Sequence, residues 1–278
     1  MGLAGVFAEA AGFEPWRTTF YRVALGSLIL GSILLFSKKR KWPSLHLCLF
    51  FVALGSVLGL HWFAFFKSLK YLGVILGSAM IGIQPLIIGS VAAMILKERF
   101  TPRMLLSAGI TLIGFVILGM GPHQQQHLVL GIGWSLFSFL LFALLVVANR
   151  KWVVSESPLV LTFLQMSGAI PLTFLMTTEP ILPESATSLG FALILGILCT
   201  GMAHGFYNAS MRVLSAPLVG LMLSLEVVYG LLGGWVIGDR ISARELIAIG
   251  FITNILVFDI LHFLKMRKRL PVPQPELM

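Results

Sequence analysis

The chain has 278 residues, of which 58% are hydrophobic and only 11% are charged, and its mean hydropathy is +0.96. Soluble domains carry about 25% charged residues. This composition therefore excludes a soluble enzyme or binding domain and predicts a protein embedded in a lipid bilayer. The net charge of +9 comes from short basic clusters between apolar stretches. Such clusters indicate orientation in a membrane, and we expect no nucleic-acid partner.

Nine apolar stretches are each long enough to cross the bilayer core of about 30 Å, which requires about 20 helical residues. They cover residues 17–36, 45–66, 72–96, 104–121, 128–148, 158–178, 188–209, 216–237 and 245–264. Their hydrophobic runs are continuous, whereas a transmembrane barrel alternates apolar and polar residues. The sequence therefore predicts an all-α membrane protein.

The two halves of the chain repeat one sequence plan. A shift of 141 to 143 residues places Pro15 on Pro158, Thr19 on Thr162 and residues 97–103 on 238–244. Each half has five predicted helices, and because five is odd, the second half must enter the membrane from the opposite side. We predict about ten transmembrane helices in two inverted repeats. The first repeat covers residues 1–121 and the second covers 122–270, while the Pro-rich residues 271–278 form a disordered tail.

Residues 1–13 are apolar but too few to cross the bilayer, and they lack the basic start and cleavage site of a signal peptide. The repeat aligns residues 128–148 with positions running from about −15 to 5. We therefore expect a truncated first helix, present as a stub beside the helix 17–36. A nine-helix protein with a short extra segment is the alternative.

The basic residues predict which ends of the helices face the cytoplasm. With the carboxyl terminus inside, fourteen of the twenty Lys and Arg residues lie on the cytoplasmic side, as the positive-inside rule requires. The remaining six are Arg17, Arg22, Lys67, Lys70, Arg240 and Arg244. We expect Arg22, close to the outer end of its span, to extend its charged group toward the membrane surface.

Two short motifs end the two halves in the same order. The first half has Gln84-Pro85-Leu86 followed by Glu98-Arg99, and the second has Glu226-Val227-Val228-Tyr229 followed by Asp239-Arg240. With Phe20-Tyr21-Arg22 in the second helix, this pattern resembles the EamA-like branch of the drug/metabolite transporter superfamily. The chain departs from the family pattern in its short first helix, in Val227 where Pro is usual, and in Asp239 where Glu is usual. The resemblance implies a ten-helix secondary transporter, often an exporter of amino acids or other small metabolites, with a central cavity between its halves.

Glu226 is the strongest candidate for a functional residue, because it lies near the middle of the span 216–237. A carboxylate at the centre of a transmembrane helix costs roughly 2.5–3.5 kcal/mol on insertion scales, so it is rarely retained without a role. Glu226 could bind a substrate amine or carry a coupling proton. A structural carboxyl group, hydrogen-bonded to a neighbouring helix, is the alternative.

Polar and aromatic side chains at matching positions of the two repeats predict a substrate cavity between them. Trp62 aligns with His204, and Gln84 precedes Pro85, whose ring can leave carbonyl groups free to face a cavity. Aromatic walls with a few polar groups are typical of small-molecule sites. The predicted substrate-binding residues are Trp62, Gln84, His204, Tyr207, Asn208, Glu226 and Tyr229, of which Glu226 also couples protons. The alternative is that these residues lie at the membrane interface or pack between helices.

The sequence thus predicts a secondary active transporter, in particular an exporter of an amino acid or related metabolite, in which proton coupling is left open. It carries no zinc-binding His-Glu-x-x-His motif, no Gly-x-Ser-x-Gly motif and no Walker loop, so we expect no enzyme activity, metal or cofactor. An intramembrane enzyme and a channel are the alternatives. The expected partners are a small-molecule substrate and the lipids of a bacterial inner membrane, with a homodimer left open.

Overall fold

The computed structural model describes residues 2–37, 41–96, 102–120, 125–153, 155–212, 216–254 and 261. All regular secondary structure in these residues is helical, which confirms the predicted all-α class. The helices are α1 (Ala4–Ala11), α2 (Pro15–Phe36), α3 (Leu45–Ala79), α4 (Gln84–Leu96), α5 (Pro102–Gly119), α6 (Gln125–Trp152), α7 (Pro158–Met176), α8 (Ala186–Leu193), α9 (Ala203–Ser210), α10 (Ala216–Val236) and α11 (Ala243–Ile252). A 3₁₀ turn, Met80–Ile83, joins α3 to α4, and a π-helix, Ile194–Met202, joins α8 to α9.

Five helical segments in the described residues are long and apolar enough to cross a membrane. They are Pro15–Phe36, Leu45–Ile95, Gln126–Trp152, Pro158–Met176 and Ala186–Ser210. Each of the nine predicted spans overlaps a described helix. The last predicted span, 245–264, is described as far as residue 254 and at residue 261. The predicted tail 271–278 lies outside the described residues.

The segment Leu45–Ile95 contains two spans, because it reverses direction at Gly73. Its 51 residues would extend for about 77 Å as a straight helix, more than twice the thickness of the bilayer core. Gly73 has φ 75° and ψ 170°, a conformation that side-chain-bearing residues rarely adopt. Beyond it the chain folds back, so that Leu69 packs against Gly77. The turn lies where the sequence places the boundary between the spans 45–66 and 72–96.

Equivalent helices in the two halves begin in the same way. Pro15 and Pro158 each occupy the first turn, where a missing N–H leaves no hydrogen bond unmade. One turn later, the hydroxyls of Thr19 and Thr162 donate to the carbonyl oxygens of these prolines, both at 2.7 Å. The first turns of α2 and α7 therefore have the same local structure.

Contacts at the ends of the helices join segments that the charge distribution assigns to the same side of the membrane. At the predicted outer ends, Arg17 pairs with Glu179, and the Asp239 carboxylate accepts from the backbone N–H of Ile75 at 2.9 Å. At the predicted inner ends, Arg212 donates to the carbonyl oxygen of Val153 at 2.7 Å. The helix ends thus fall into two groups that match the predicted sides.

The packing between the halves has a regular pattern. Helix α3 packs against α6 and α7, while the π-helix packs against α2, and α8 packs against α1. If each helix is exchanged for its equivalent in the other half, the α3–α6 pair becomes the α8–α1 pair, and the α3–α7 pair becomes the pair of the π-helix with α2. In the α2–α7 pair and in the α5–α11 pair, the two helices are each other's equivalents, so the exchange leaves each pair unchanged.

The amino-terminal segment lies elsewhere than expected. Helix α1 packs mainly against α8, α3 and α10, and not along the helix 17–36 as predicted. The small residue Gly5 brings α1 against Leu69 and Val74 of α3. Contact with α2 comes through Phe13, whose ring stacks on that of Tyr21 at a centroid distance of 5.2 Å.

Candidate functional site

A cavity of about 50 Å³ lies between the two halves of the protein, where α2, α3, α4, α6, α9 and α10 meet the start of the chain. Aromatic rings and small residues form much of its wall. Its polar and amphipathic lining residues are Arg22, His61, Trp62, Gln84, His204 and Glu226. Four of the seven predicted site residues, Trp62, Gln84, His204 and Glu226, are therefore brought together around one cavity.

Trp62 and His204 form the aromatic side of this cavity. Their ring centroids are 5.0 Å apart and their planes make an angle of 77°, so the edge of one ring meets the face of the other. Both side chains are buried, and Nδ1 of His204 has no hydrogen-bond partner among the described residues. A buried nitrogen of this kind is costly to leave without a partner, and a bound water or ligand in the cavity can satisfy it.

Arg22 is a site residue that the sequence reading missed. The expectation that its charged group reaches the membrane surface is wrong, since Arg22 is only 2% exposed and lines the cavity. Its Nε donates to Oγ1 of Thr200 at 2.7 Å, and its guanidinium carbon lies 4.2 Å from the centroid of Trp62. Stacking on an aromatic ring and a hydrogen bond partly replace the water that the guanidinium loses. A charged residue inside an apolar span, about two turns from the start of α2, was the available signal.

His61 is held firmly on the α6 side of the cavity. Its Nδ1 lies 2.9 Å from both the hydroxyl and the carbonyl oxygen of Ser138, and that hydroxyl also donates to the carbonyl oxygen of His61 at 3.0 Å. The imidazole ring packs on Phe142 at a centroid distance of 4.9 Å. These contacts fix the orientation of the ring, so His61 shapes the cavity wall.

Gln84 and Glu226 supply the amide and the carboxyl group of the cavity. Gln84 is buried and is the first residue of α4, directly after the 3₁₀ turn. Glu226 lies on α10, whose backbone at this position packs closely against Gly2. The two residues correspond approximately under the repeat, since residue 85 falls on residue 226 at a shift of 141. An amide from one half and a carboxyl group from the other therefore share one cavity.

The other three predicted site residues do not line the cavity. Tyr207 is half-buried beside His204, with the two ring centroids 6.0 Å apart, and its buried hydroxyl has no partner among the described residues. Asn208 donates to Oγ1 of Thr162 at 2.7 Å, which fixes it between helices. Tyr229 is 51% exposed on the outer surface of α10. At 3.6 residues per turn, positions 226 and 229 differ by only about 60° around the axis of α10, yet Glu226 lines the cavity while Tyr229 is exposed.

The described part of the chain contains no group of three or more His, Cys, Asp or Glu side chains arranged to hold a metal ion. The chemistry that the described cavity offers is recognition: a guanidinium and a carboxyl group for charged partners, an amide and an imidazole for hydrogen bonds, and aromatic faces for apolar groups.

Comparison with known proteins gives the family. The family model described as "EamA-like transporter family" matches the chain twice, over residues 1–120 and 129–258. The uncharacterized transporter YyaM of Bacillus subtilis is 23% identical over 249 residues, which cover 84% of this chain and 81% of that protein. An uncharacterized transporter of Archaeoglobus fulgidus is 24% identical over 250 residues, covering 86% of each chain.

A solved crystal structure has the same fold, with a TM-score of 0.65 and 20% sequence identity over 94% of this chain and 93% of the other. The two family matches cover nearly the whole described chain and confirm the resemblance seen in its motifs. The protein is a multi-pass membrane transporter of the plasma membrane, and it belongs to the EamA-like transporter family.

Proposed function

We propose that this protein is a secondary active transporter that exports a small metabolite, such as an amino acid or a related compound, by alternating access between two inverted halves. The observation that carries the proposal is the cavity at the contact between the halves, lined from one half by Arg22, Trp62 and Gln84 and from the other by His204 and Glu226. Transporters built from inverted repeats bind their substrates at such an interface.

The exchange pattern of the helix pairs supports this mechanism. The α2–α7 and α5–α11 pairs map onto themselves, and the α3–α6 and α3–α7 pairs map onto the α8–α1 pair and the pair of the π-helix with α2, as expected if a twofold axis in the membrane plane relates the halves. In such an arrangement, the contacts that close one side of the site have equivalents that can close the other. Rocking of one half against the other would then expose the cavity to each side in turn.

The cavity is small compared with a metabolite. About 50 Å³ accommodates a few water molecules, since one water requires roughly 10–15 Å³ of such space. A metabolite of ten or more heavy atoms would need the halves to separate. In the proposed mechanism, binding and release are coupled to movement between the halves, and this coupling distinguishes a carrier from a channel with a continuous pore.

Glu226 is the proposed proton-coupling residue. It is a carboxyl group in a cavity that otherwise presents neutral polar, aromatic and guanidinium groups. A carboxyl group can exchange a proton for a cationic substrate group, whereas the Gln84 amide cannot titrate. Alternate occupation of one carboxylate by proton and substrate is the simplest form of coupled exchange.

Flux in proteoliposomes tests the transport proposal. Purified protein would be reconstituted with unlabelled amino acids inside the vesicles and a labelled mixture of the same amino acids outside. We expect saturable accumulation of label by counterflow, because a carrier exchanges one substrate molecule for another. Flux that rises linearly with concentration and shows no counterflow would instead indicate a channel, and chemical conversion of the label without flux would indicate an enzyme.

A further inference from the structure

The Arg22 guanidinium carries a charge that no group in the described part of the chain neutralises directly. Among the described residues it makes one hydrogen bond, from Nε to Thr200, and no carboxylate oxygen lies within ion-pair distance. The two terminal nitrogens carry four further N–H groups, and the side chain lines the cavity while being only 2% exposed. A buried charge left in this state is unfavourable unless an anion or water completes it.

The contacts of Arg22 fix the position of its guanidinium but leave the N–H groups of its two terminal nitrogens without a partner among the described residues. Thr200 fixes Nε, and the guanidinium carbon lies 4.2 Å from the ring centroid of Trp62 and 5.3 Å from that of Phe66. These contacts fix the plane of the guanidinium group. The terminal nitrogens of a guanidinium held in this way can form the parallel pair of hydrogen bonds that matches a carboxylate.

Glu226 belongs to the same cavity but is not paired with Arg22. Because the guanidinium and the carboxyl group line one small cavity without contacting each other, each can still bind a further group. A substrate carrying both an anionic and a cationic group fits between them. Charged groups at other described residues do not line this cavity.

We propose that Arg22 is the anion-binding residue of the transport site, so that the transported metabolite is one that carries a carboxylate, with its amino group directed toward Glu226. The inference rests on the proposed function and names the substrate class of the same site. Arg22 selects the substrate by its carboxylate, and Thr200 acts on binding by orienting the guanidinium.

Matched ligands test this selection in the purified wild-type protein. The probes are the standard L-amino acids, the corresponding amino acid amides and the amines that lack the carboxyl group, each assayed by thermal stabilisation. We expect at least one amino acid to stabilise the protein, and its amide and amine to bind about 10- to 100-fold more weakly, as loss of a charge-assisted hydrogen-bond pair predicts. Equal stabilisation by acid and amide, or no stabilisation by any acid, overturns the proposal.

Variants of Arg22 and its neighbour test the assignment to this residue. Arg22→Gln should remove the preference for acid over amide, Arg22→Lys should retain part of it, and Thr200→Val should weaken binding of the acid while leaving the charge in place. Arg17→Gln is the matched control, because it removes another buried arginine of α2 that does not line the cavity. A folded Arg22→Gln protein with the wild-type ratio of acid to amide affinity would overturn the assignment.

The outcome separates this inference from the transport proposal. Counterflow of metabolites that lack a carboxylate, at the same rate as amino acids, would refute the role of Arg22 and leave the transport proposal intact. Absence of counterflow for every probe, despite binding of acids in preference to amides, would leave the anion site and refute transport.

Discussion

The edge of one ring in the Trp62–His204 pair meets the face of the other at a centroid distance of 5.0 Å, and the two residues are related by the internal repeat of 142 positions. Thr111 and Asn254, which are 143 positions apart, also contact each other, with Nδ2 of Asn254 donating to Oγ1 of Thr111 at 3.0 Å. In a protein built from two copies related by a twofold axis, equivalent positions touch only where the copies meet at that axis. Both pairs join the first half of the chain to the second, and the Trp62–His204 pair does so at the cavity.

Trp62→Ala should lower the free energy of unfolding by about 3 kcal/mol or more, because it empties a buried site, and it should also weaken substrate binding by removing the ring under Arg22. Trp62→Phe should change stability by about 1 kcal/mol, since a ring remains to stack on the guanidinium. Thermal unfolding in detergent and counterflow would measure both effects. Trp134→Ala is the control, because Trp134 packs on Phe63 away from the cavity; an equal loss of substrate binding there would contradict this role for Trp62.

Glu226→Gln should abolish transport driven by a pH gradient while counterflow continues, because the amide keeps the shape of the side chain and cannot carry a proton. Uptake into proteoliposomes with and without an imposed pH gradient would measure this difference. Glu156→Gln, in the loop after α6, should leave both activities unchanged. Wild-type dependence on the pH gradient in the Glu226→Gln protein would make Glu226 a structural or substrate-binding residue only.

Arg17→Met should destabilise the outer ends of α2 and the α7–α8 loop by about 2 kcal/mol, because a buried arginine loses its bonds to Glu179 and to the carbonyl oxygen of Leu182. Glu184→Gln should cost less than about 0.5 kcal/mol, since the Glu184 side chain is 84% exposed and surface ion pairs contribute little. Thermal unfolding of the two variants would test the order. Equal losses would show that the ion pair with Glu184 is stronger than its exposure suggests.

Gly168→Ala should destabilise the protein by about 1–3 kcal/mol through overpacking. A Cβ at Gly168 would collide with the backbone of Val52, and one at Gly55 would collide with the backbone around Gln165, so α3 and α7 lie in direct backbone contact. Gly133→Ala is the matched control, because a Cβ there has nothing within 4 Å. Thermal unfolding should show a loss for Gly168→Ala alone; a similar loss for both would point to a general intolerance of helix substitutions.

The sequence by itself determined the membrane environment and the helical class, because the bilayer thickness fixes the length of an apolar helix and leaves few polar residues inside it. It also predicted two related halves, aligned Trp62 with His204, which the structure brings into contact, and singled out Glu226, which lines the cavity. These conclusions depend on the order of residues and on their depth in the membrane, and both follow from position along the sequence.

Only the tertiary structure decided which face of each helix meets the cavity. A helix in a bilayer is apolar on every side, so its sequence does not mark the face that contacts other helices, as the polar face of a soluble helix does. For this reason Tyr229 was expected at the site but lies on the outer surface, while Arg22 was expected at the membrane surface but lines the cavity. The rotation of each helix about its axis follows from packing between small residues and rings, and that information is distributed over both halves of the chain.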